Sequence, residues 1–279
     1  MSMKGGRVRR RAWMLNLAWL VASTLANPSV AGVEGLCGRP LQLAYSMLPP
    51  LYYLEDSSKQ GQGIEVDIAA ELARRTGCRL DPSYESRIRV WAAFEAEQID
   101  LSLSGVATPE RERFGVFLPY LKFRNVLLVR DDTAPRDATA AANPMTDPAT
   151  TVVVTRGFRY GPKWDAWIRQ QEERGLVSYV AEEGDAVRLV AIGRATATIV
   201  RDIAWSYYDK RHTGAQRLRR IDVGAAENAL SVVLSRKTLS AEQQKALART
   251  LADMKADGTL RRILGRHVGA EQAERLMID

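Results

Sequence analysis

The sequence predicts an α/β fold built on mainly parallel sheet, and two observations predict it. Strand-like and helix-like segments alternate along the chain from Leu41 onward, which is the order of strand–helix–strand units. Of the 279 residues, 46% are hydrophobic, without a low-complexity bias, enough for one large core or two smaller ones.

The first 31 residues stand apart from this pattern. Lys4, Arg7, Arg9, Arg10 and Arg11 precede an apolar stretch from Ala12 to Ala26, and Ser29-Val30-Ala31 then supplies small residues where a signal peptidase reads. That layout predicts a cleavable secretory leader over residues 1–31. Its apolar stretch spans roughly 22 Å as a helix, short of the roughly 30 Å hydrocarbon core. No later stretch reaches the length of a membrane span, so an exported, soluble mature chain is expected.

Leu41–Ser46 reads as a short strand stopped by Pro49-Pro50. Ile64, Ile68, Ala69, Leu72 and Ala73 then recur at helical spacing, and Gly77 closes the segment. A strand at Arg79–Tyr84, a helix from about Arg89 to Glu97 with Val90, Trp91 and Phe94 on one face, and a strand at Ile99–Leu103 follow. Asp131–Thr150 has no sustained period and reads as a loop. Strand Thr151–Thr155 leads into a helix that starts near Pro162, with Trp164, Trp167 and Ile168 on its apolar face. Strand Val177–Val180, helix Asp185–Ile192 and strand Ala197–Val200 form the next unit, before strand Leu230–Leu234 and a helix capped by Ser240 that runs to about Asp257.

Charge and cysteines narrow the function classes. The net charge of +7 falls to +2 once the five leader cations are set aside, so a nucleic-acid partner is not expected. The two cysteines, Cys37 and Cys78, each stand just ahead of a predicted strand. Neighbouring parallel strands would bring those starts together, and an oxidising compartment favours a structural disulfide. Together with His212 and His267 they have no metal-ligand spacing. Neither a metal nor a cofactor is expected.

Several short motifs lie in a telling order. They are the Pro-Pro loop, Gly63-Ile64-Glu65-Val66-Asp67, Gln98-Ile99-Asp100-Leu101, Thr108-Pro109-Glu110-Arg111, Phe117-Leu118-Pro119-Tyr120 and Val126–Arg130. On these the chain resembles the extracellular solute-binding proteins, family 3, that serve polar amino-acid importers. The likeness continues more faintly through Arg156-Gly157, Asp202 and Asp257-Gly258-Thr259-Leu260. It implies a two-lobed periplasmic-binding-protein-like fold, each lobe a mainly parallel sheet flanked by helices, with two hinge crossovers near Leu118–Lys122 and Glu227–Ser231. Lobe 1 would comprise residues 32–119 and 230–279, and lobe 2 residues 120–229. The implied function is periplasmic capture of a small polar ligand, an amino acid by expectation, for the membrane permease of an ABC importer, by a monomer.

The resemblance also assigns residues. Arg111, ending the Thr-Pro-Glu-Arg motif, would grip the ligand carboxylate with its planar fork, and Asp202, just after a strand, would accept the ammonium. Ser104 and Gly105 would offer backbone amides. Gly157, Phe158 and Arg159 match a second-lobe loop that meets the ligand, with Phe158 or Tyr160 closing over it or packing within the lobe. Leu48 stands where the family often has an aromatic. Arg87 would either favour an acidic side chain or lie exposed in a charge cluster. Val106-Ala107 replaces a hydroxyl residue that the family uses for the carboxylate, so a standard α-amino acid does not follow automatically.

Two other classes fit the same scaffold. One is a cyclohexadienyl or arogenate dehydratase-like enzyme, for which Glu182 and Glu183 are candidates by position alone. The other is a sensory or accessory binding protein. No Ser/His/Asp or Cys/His arrangement is evident, and a binding protein rather than an enzyme is expected.

Overall fold

The computed structural model describes residues 36–55, 60–132, 144–212 and 216–278. The leader expected at residues 1–31 lies outside these, as does the middle of the loop expected at 131–150. Among the described residues no helix is long and apolar enough to cross a membrane.

The elements run in the order β1 (Leu41–Tyr45), β2 (Tyr53–Leu54), β3 (Gly61–Gln62), α1 (Ile64–Thr76), β4 (Leu80–Tyr84), α2 (Arg87–Glu95), β5 (Leu101–Gly105) and β6 (Gly115–Arg130). After these come β7 (Val152–Thr155), α3 (Pro162–Glu173), β8 (Val177–Val180), α4 (Glu183–Ala191), β9 (Ala197–Arg201), α5 (Trp205–Asp209), β10 (Leu218–Ile221), β11 (Glu227–Ser235), α6 (Ala241–Ala256), α7 (Thr259–Val268) and α8 (Ala270–Leu276). The main sheet has the order β4-β1-β5-β11-β6-β9-β7-β8, with β10 added to β6.

Two parallel trios make its ends: β4, β1 and β5 on one side, β9, β7 and β8 on the other. Antiparallel β11 and β6 join them. The N-terminal part of β6 pairs with β11 from Gly115 to Arg124, and its C-terminal part pairs with β9 from Asn125 to Val129. One 16-residue strand therefore belongs to both halves, and the two-lobed α/β class expected from the sequence is the one observed.

Each half has its own core. Ile64, Ile68 and Leu72 turn one face of α1 onto Leu41, Leu43, Leu101 and Leu103, with α6 to α8 completing the cluster through Leu247, Leu260 and Leu276. In the second lobe, the Trp164 and Trp167 face of α3 packs on one side of the sheet, while Ala186, Val187 and Val190 of α4 cover the other. Burial at about 25 cal/mol per Å² of apolar surface gives each half its own driving force to fold.

The expected disulfide is present, with Cys37 and Cys78 bonded and their Cα atoms 5.2 Å apart. Its cause is the anticipated one: β1 and β4 are adjacent and parallel, in register from Leu41 opposite Leu80.

Three boundaries depart from expectation in ways that matter for the site. Helix α2 begins at Arg87, not Arg89, because Ser86 takes the extended cap conformation. Helix α4 begins at Glu183, not Asp185. Strand β9 continues through Arg201, one residue past the expected end. The long strand β6 is not legible as a strand because Pro119 interrupts it. Its pairing with β11 shifts register there, Leu230 facing Leu121 but Ser231 facing Pro119, and such an irregularity is how a sheet takes in a proline.

Candidate functional site

A narrow pocket opens between the lobes. From the first lobe it is lined by Leu48, Arg87, Ser104, Val106 and Arg111, and from the second by Gly157, Phe158, Arg159, Tyr160, Glu183 and Arg201. The strands that join the lobes contribute Phe123, Asn125 and Leu230 to its floor.

Arg111 sits in a single 3₁₀ turn, Arg111–Arg113, after the Thr-Pro-Glu segment. Only 6% of it is exposed. Its Nη1 donates to the Val106 carbonyl at 3.1 Å and its Nη2 to the Gly157 carbonyl across the cleft at 3.0 Å. The guanidinium lies 3.9 Å from the centre of the Trp91 ring, within cation–π range. Burial, with Arg87 and Arg159 nearby, pushes its pKa down to about 9.

Arg87 is buried at the start of α2, not exposed in a charge cluster. It donates to the Ser104 hydroxyl at 3.0 Å and to the Ser104 carbonyl, and lies 5.0 Å from the Trp91 ring centre. Burial is the main reason its pKa falls to about 10, with the Arg201 charge adding to the fall and Glu65 opposing it. Ser104 therefore acts through its hydroxyl and carbonyl toward Arg87.

On the second lobe, Gly157 follows β7 with a φ of +80°, a conformation that favours glycine, and a Cβ there would come within 3.0 Å of Ile88. The glycine lets this loop approach the first lobe closely enough for its carbonyl to meet Arg111. Phe158 packs at a tilt against Tyr160, ring centres 5.7 Å apart, and the Tyr160 hydroxyl accepts from the Thr155 amide. Arg159 stands at the mouth, 3.8 Å from Glu110 of the first lobe.

Two expected site residues lie elsewhere. Gly105 faces β11, not the cleft; a Cβ there would fall 2.0 Å from Val233 Cγ2, so close strand packing explains the glycine. Asp202 does not join Arg111. Its Oδ1 accepts from the backbone amides of Arg124 and Ile203, and it lines a separate cavity with Lys122, Arg124 and Arg220. Burial raises its pKa. The physical reason is that β9 ends at Arg201 and Asp202 opens the 3₁₀ turn that follows, where its carboxylate satisfies backbone amides. Ala197 and Ile199 pack into the cluster with Trp164, and Arg201, on the same face, is the residue that reaches the pocket.

Arg201 is therefore a site residue that the sequence reading missed. Its Nη2 donates to Glu183 Oε1 at 2.9 Å, and the Tyr208 hydroxyl donates to the same oxygen at 3.2 Å. Burial raises the Glu183 pKa, and Arg201 opposes the rise. Reading β9 one residue further and counting by two would have found Arg201.

Glu65, the second residue of α1, is a further missed feature. It is fully buried, with the Ser104 side chain beside its carboxyl. Burial drives its pKa up to about 7, against the opposing charges of Arg87 and Arg201. No group of three or more His, Cys, Asp or Glu able to hold a metal exists among the described residues.

The family model described as bacterial extracellular solute-binding proteins, family 3, matches residues 41–270. No curated protein matches the chain. Among solved structures, a histidine kinase sensor domain with similarity to periplasmic binding proteins is 15% identical, with 86% of this chain and 98% of that one covered at a TM-score of 0.70. The arginine-, lysine-, histidine-binding protein ArtJ from Geobacillus stearothermophilus is 15% identical, covering 85% and 100% at 0.68. The ancestral amino acid-binding protein AncCDT-1, a precursor of cyclohexadienyl dehydratase, is 21% identical, covering 82% and 95% at 0.67. At these identities the likeness establishes the fold.

Proposed function

The chain belongs to the bacterial extracellular solute-binding proteins, family 3, and from that membership we propose that it captures a small carboxylate-bearing solute between its lobes in the periplasm and presents it to the permease of an ABC importer. The observation that carries this reading is Arg111. A planar five-donor group is buried in an interlobe pocket with two backbone carbonyls and an aromatic ring as partners, and such a fork matches a carboxylate two bonds at a time. Its bond to the Gly157 carbonyl, which already spans the cleft, is the one that an incoming carboxylate would replace, so that the ligand bridges the two lobes of the hinged cleft in its place.

Glu183 favours a second, catalytic reading, because a carboxyl raised by burial can donate a proton. It is engaged by Arg201 and Tyr208, which suits a positioned counter-ion better.

The test is thermal unfolding of the mature chain from Gly32 against amino acids, small carboxylic acids and prephenate. A ligand at a thousand times its Kd stabilises by about 4.1 kcal/mol. A carboxylate-bearing solute is expected to raise Tm, and Arg111→Ala to abolish the shift. A shift with prephenate alone, followed by its turnover, would make the enzyme reading the leading one.

A further inference from the structure

We infer that the interlobe pocket is a dianion site: it takes a short dicarboxylate that carries no ammonium group, with Arg111 on one carboxylate and Arg201 on the other. This rests on the reading of the pocket as a carboxylate receptor and specifies which carboxylates it accepts.

The charge inventory carries the inference. Arg87, Arg111 and Arg201 are all more than nine-tenths buried, at 6%, 6% and 5% exposure. Among the described residues, Arg87 and Arg111 have no carboxylate within ion-pairing distance; their direct partners are Ser104, the Val106 and Gly157 carbonyls and Trp91, and the buried Glu65 acts on Arg87 and Arg201 only from further away. Arg201 has Glu183 Oε1, yet its Nε is buried without a hydrogen-bond partner. A buried donor left unpaired is costly, more so when it is charged. Two negative groups arriving together would satisfy the first-lobe fork and the second-lobe fork at once, and would bridge the lobes.

An ammonium meets the opposite situation. Among the described residues Glu183 is the carboxylate lining the pocket; its Oε1 already accepts from Arg201 and Tyr208, so the acceptor left to an ammonium is its partnerless Oε2, on the same carboxylate that Arg201 engages. A ligand ammonium placed there would stand beside the Arg201 guanidinium, a like-charge contact away from bulk water. Asp202, the acid expected for that duty, faces a different cavity. The lobe that would hold an α-ammonium therefore presents the Arg201–Glu183 ion pair in its place.

Matched pairs isolate the ammonium. Isothermal titration calorimetry of the unaltered mature chain would compare 2-oxoglutarate with L-glutamate and L-malate with L-aspartate, since the members of each pair share two carboxylates. The oxo or hydroxy member is expected to bind about tenfold tighter or more, the size of one charged hydrogen-bond site. The Arg201→Gln, Glu183→Gln double variant, which removes both charges and leaves neither orphaned, should lose about tenfold or more in dicarboxylate affinity, with an unchanged circular dichroism spectrum. If the amino acid of either pair binds as well or better and needs Arg111, the dianion inference falls and the carboxylate receptor stands. Equal affinity for a monocarboxylate such as pyruvate overturns it too. Binding of no member of the set removes both readings.

Discussion

Glu65 has the most to say about pH. Its folded pKa near 7 lies above the ordinary carboxylate value of 4.5, because burial disfavours the charged form more than Arg87 and Arg201 favour it. A group whose folded pKa is raised contributes stability that is fully present below its unfolded pKa and is lost as pH rises through the folded one. The window is therefore about 4.5 to 7, and the loss is roughly 3 kcal/mol at most by linkage. Glu65→Gln, which cannot ionise, should abolish this component: urea unfolding from pH 4 to 8 should show the variant overtaking the natural chain as pH rises. A difference that stays flat with pH would mean that Glu65 does not titrate in this range. Other site residues differed in how legible they were. Arg111 was marked by its Thr-Pro-Glu-Arg motif, whereas Glu65 was visible only as part of a helix-opening motif, since no local pattern tells a buried acid from an exposed one.

At the scale of elements, alternation by two decided what could be read. Helices α1 and α6 announced themselves through period and caps; the Ser240 hydroxyl accepts from the Gln243 amide, and the Gln243 side chain answers to the Ser240 amide, a capping box. Strand β9 was legible, but Asp202 was assigned by the family resemblance, and the residue that reaches the pocket is its neighbour Arg201, which inverts the charge expected opposite Arg111. Strand β4 depends on something other than burial. It is the outermost strand of its sheet, and four of its five residues are exposed. The Cys37–Cys78 bond ties its start to β1 across a separation of 41 residues, a closure worth about 4 kcal/mol in the chain-entropy account. Replacing both cysteines with serine should lower unfolding free energy by about that amount, and hydrogen exchange should place the earliest loss of protection in β4.

For the whole molecule, direct contacts span the cleft: Arg111 to Gly157, the Tyr84 hydroxyl to Glu182, Arg159 to Glu110, and Tyr53 against Tyr207 at 5.5 Å between ring centres. Arg111 is buried, but the other groups are partly exposed, and contacts of that kind add about 1 kcal/mol or less each. Tyr84→Phe removes one of them. Small-angle scattering should then give a larger radius of gyration for the free variant and an unchanged one at ligand saturation. The two-lobed plan was legible because its motifs keep their order. The long shared strand was not, because Pro119 breaks its signature and its partner β11 lies about a hundred residues away.

That distance bears on how the molecule is made. Strand β11 fills the slot between β5 and β6, so a nascent chain leaves the first sheet incomplete until synthesis has passed Ser235. Long-range pairing of this kind forms slowly. The first half to be translated is thus the last to be finished, and during that interval its apolar strands stay open to pairing with other chains.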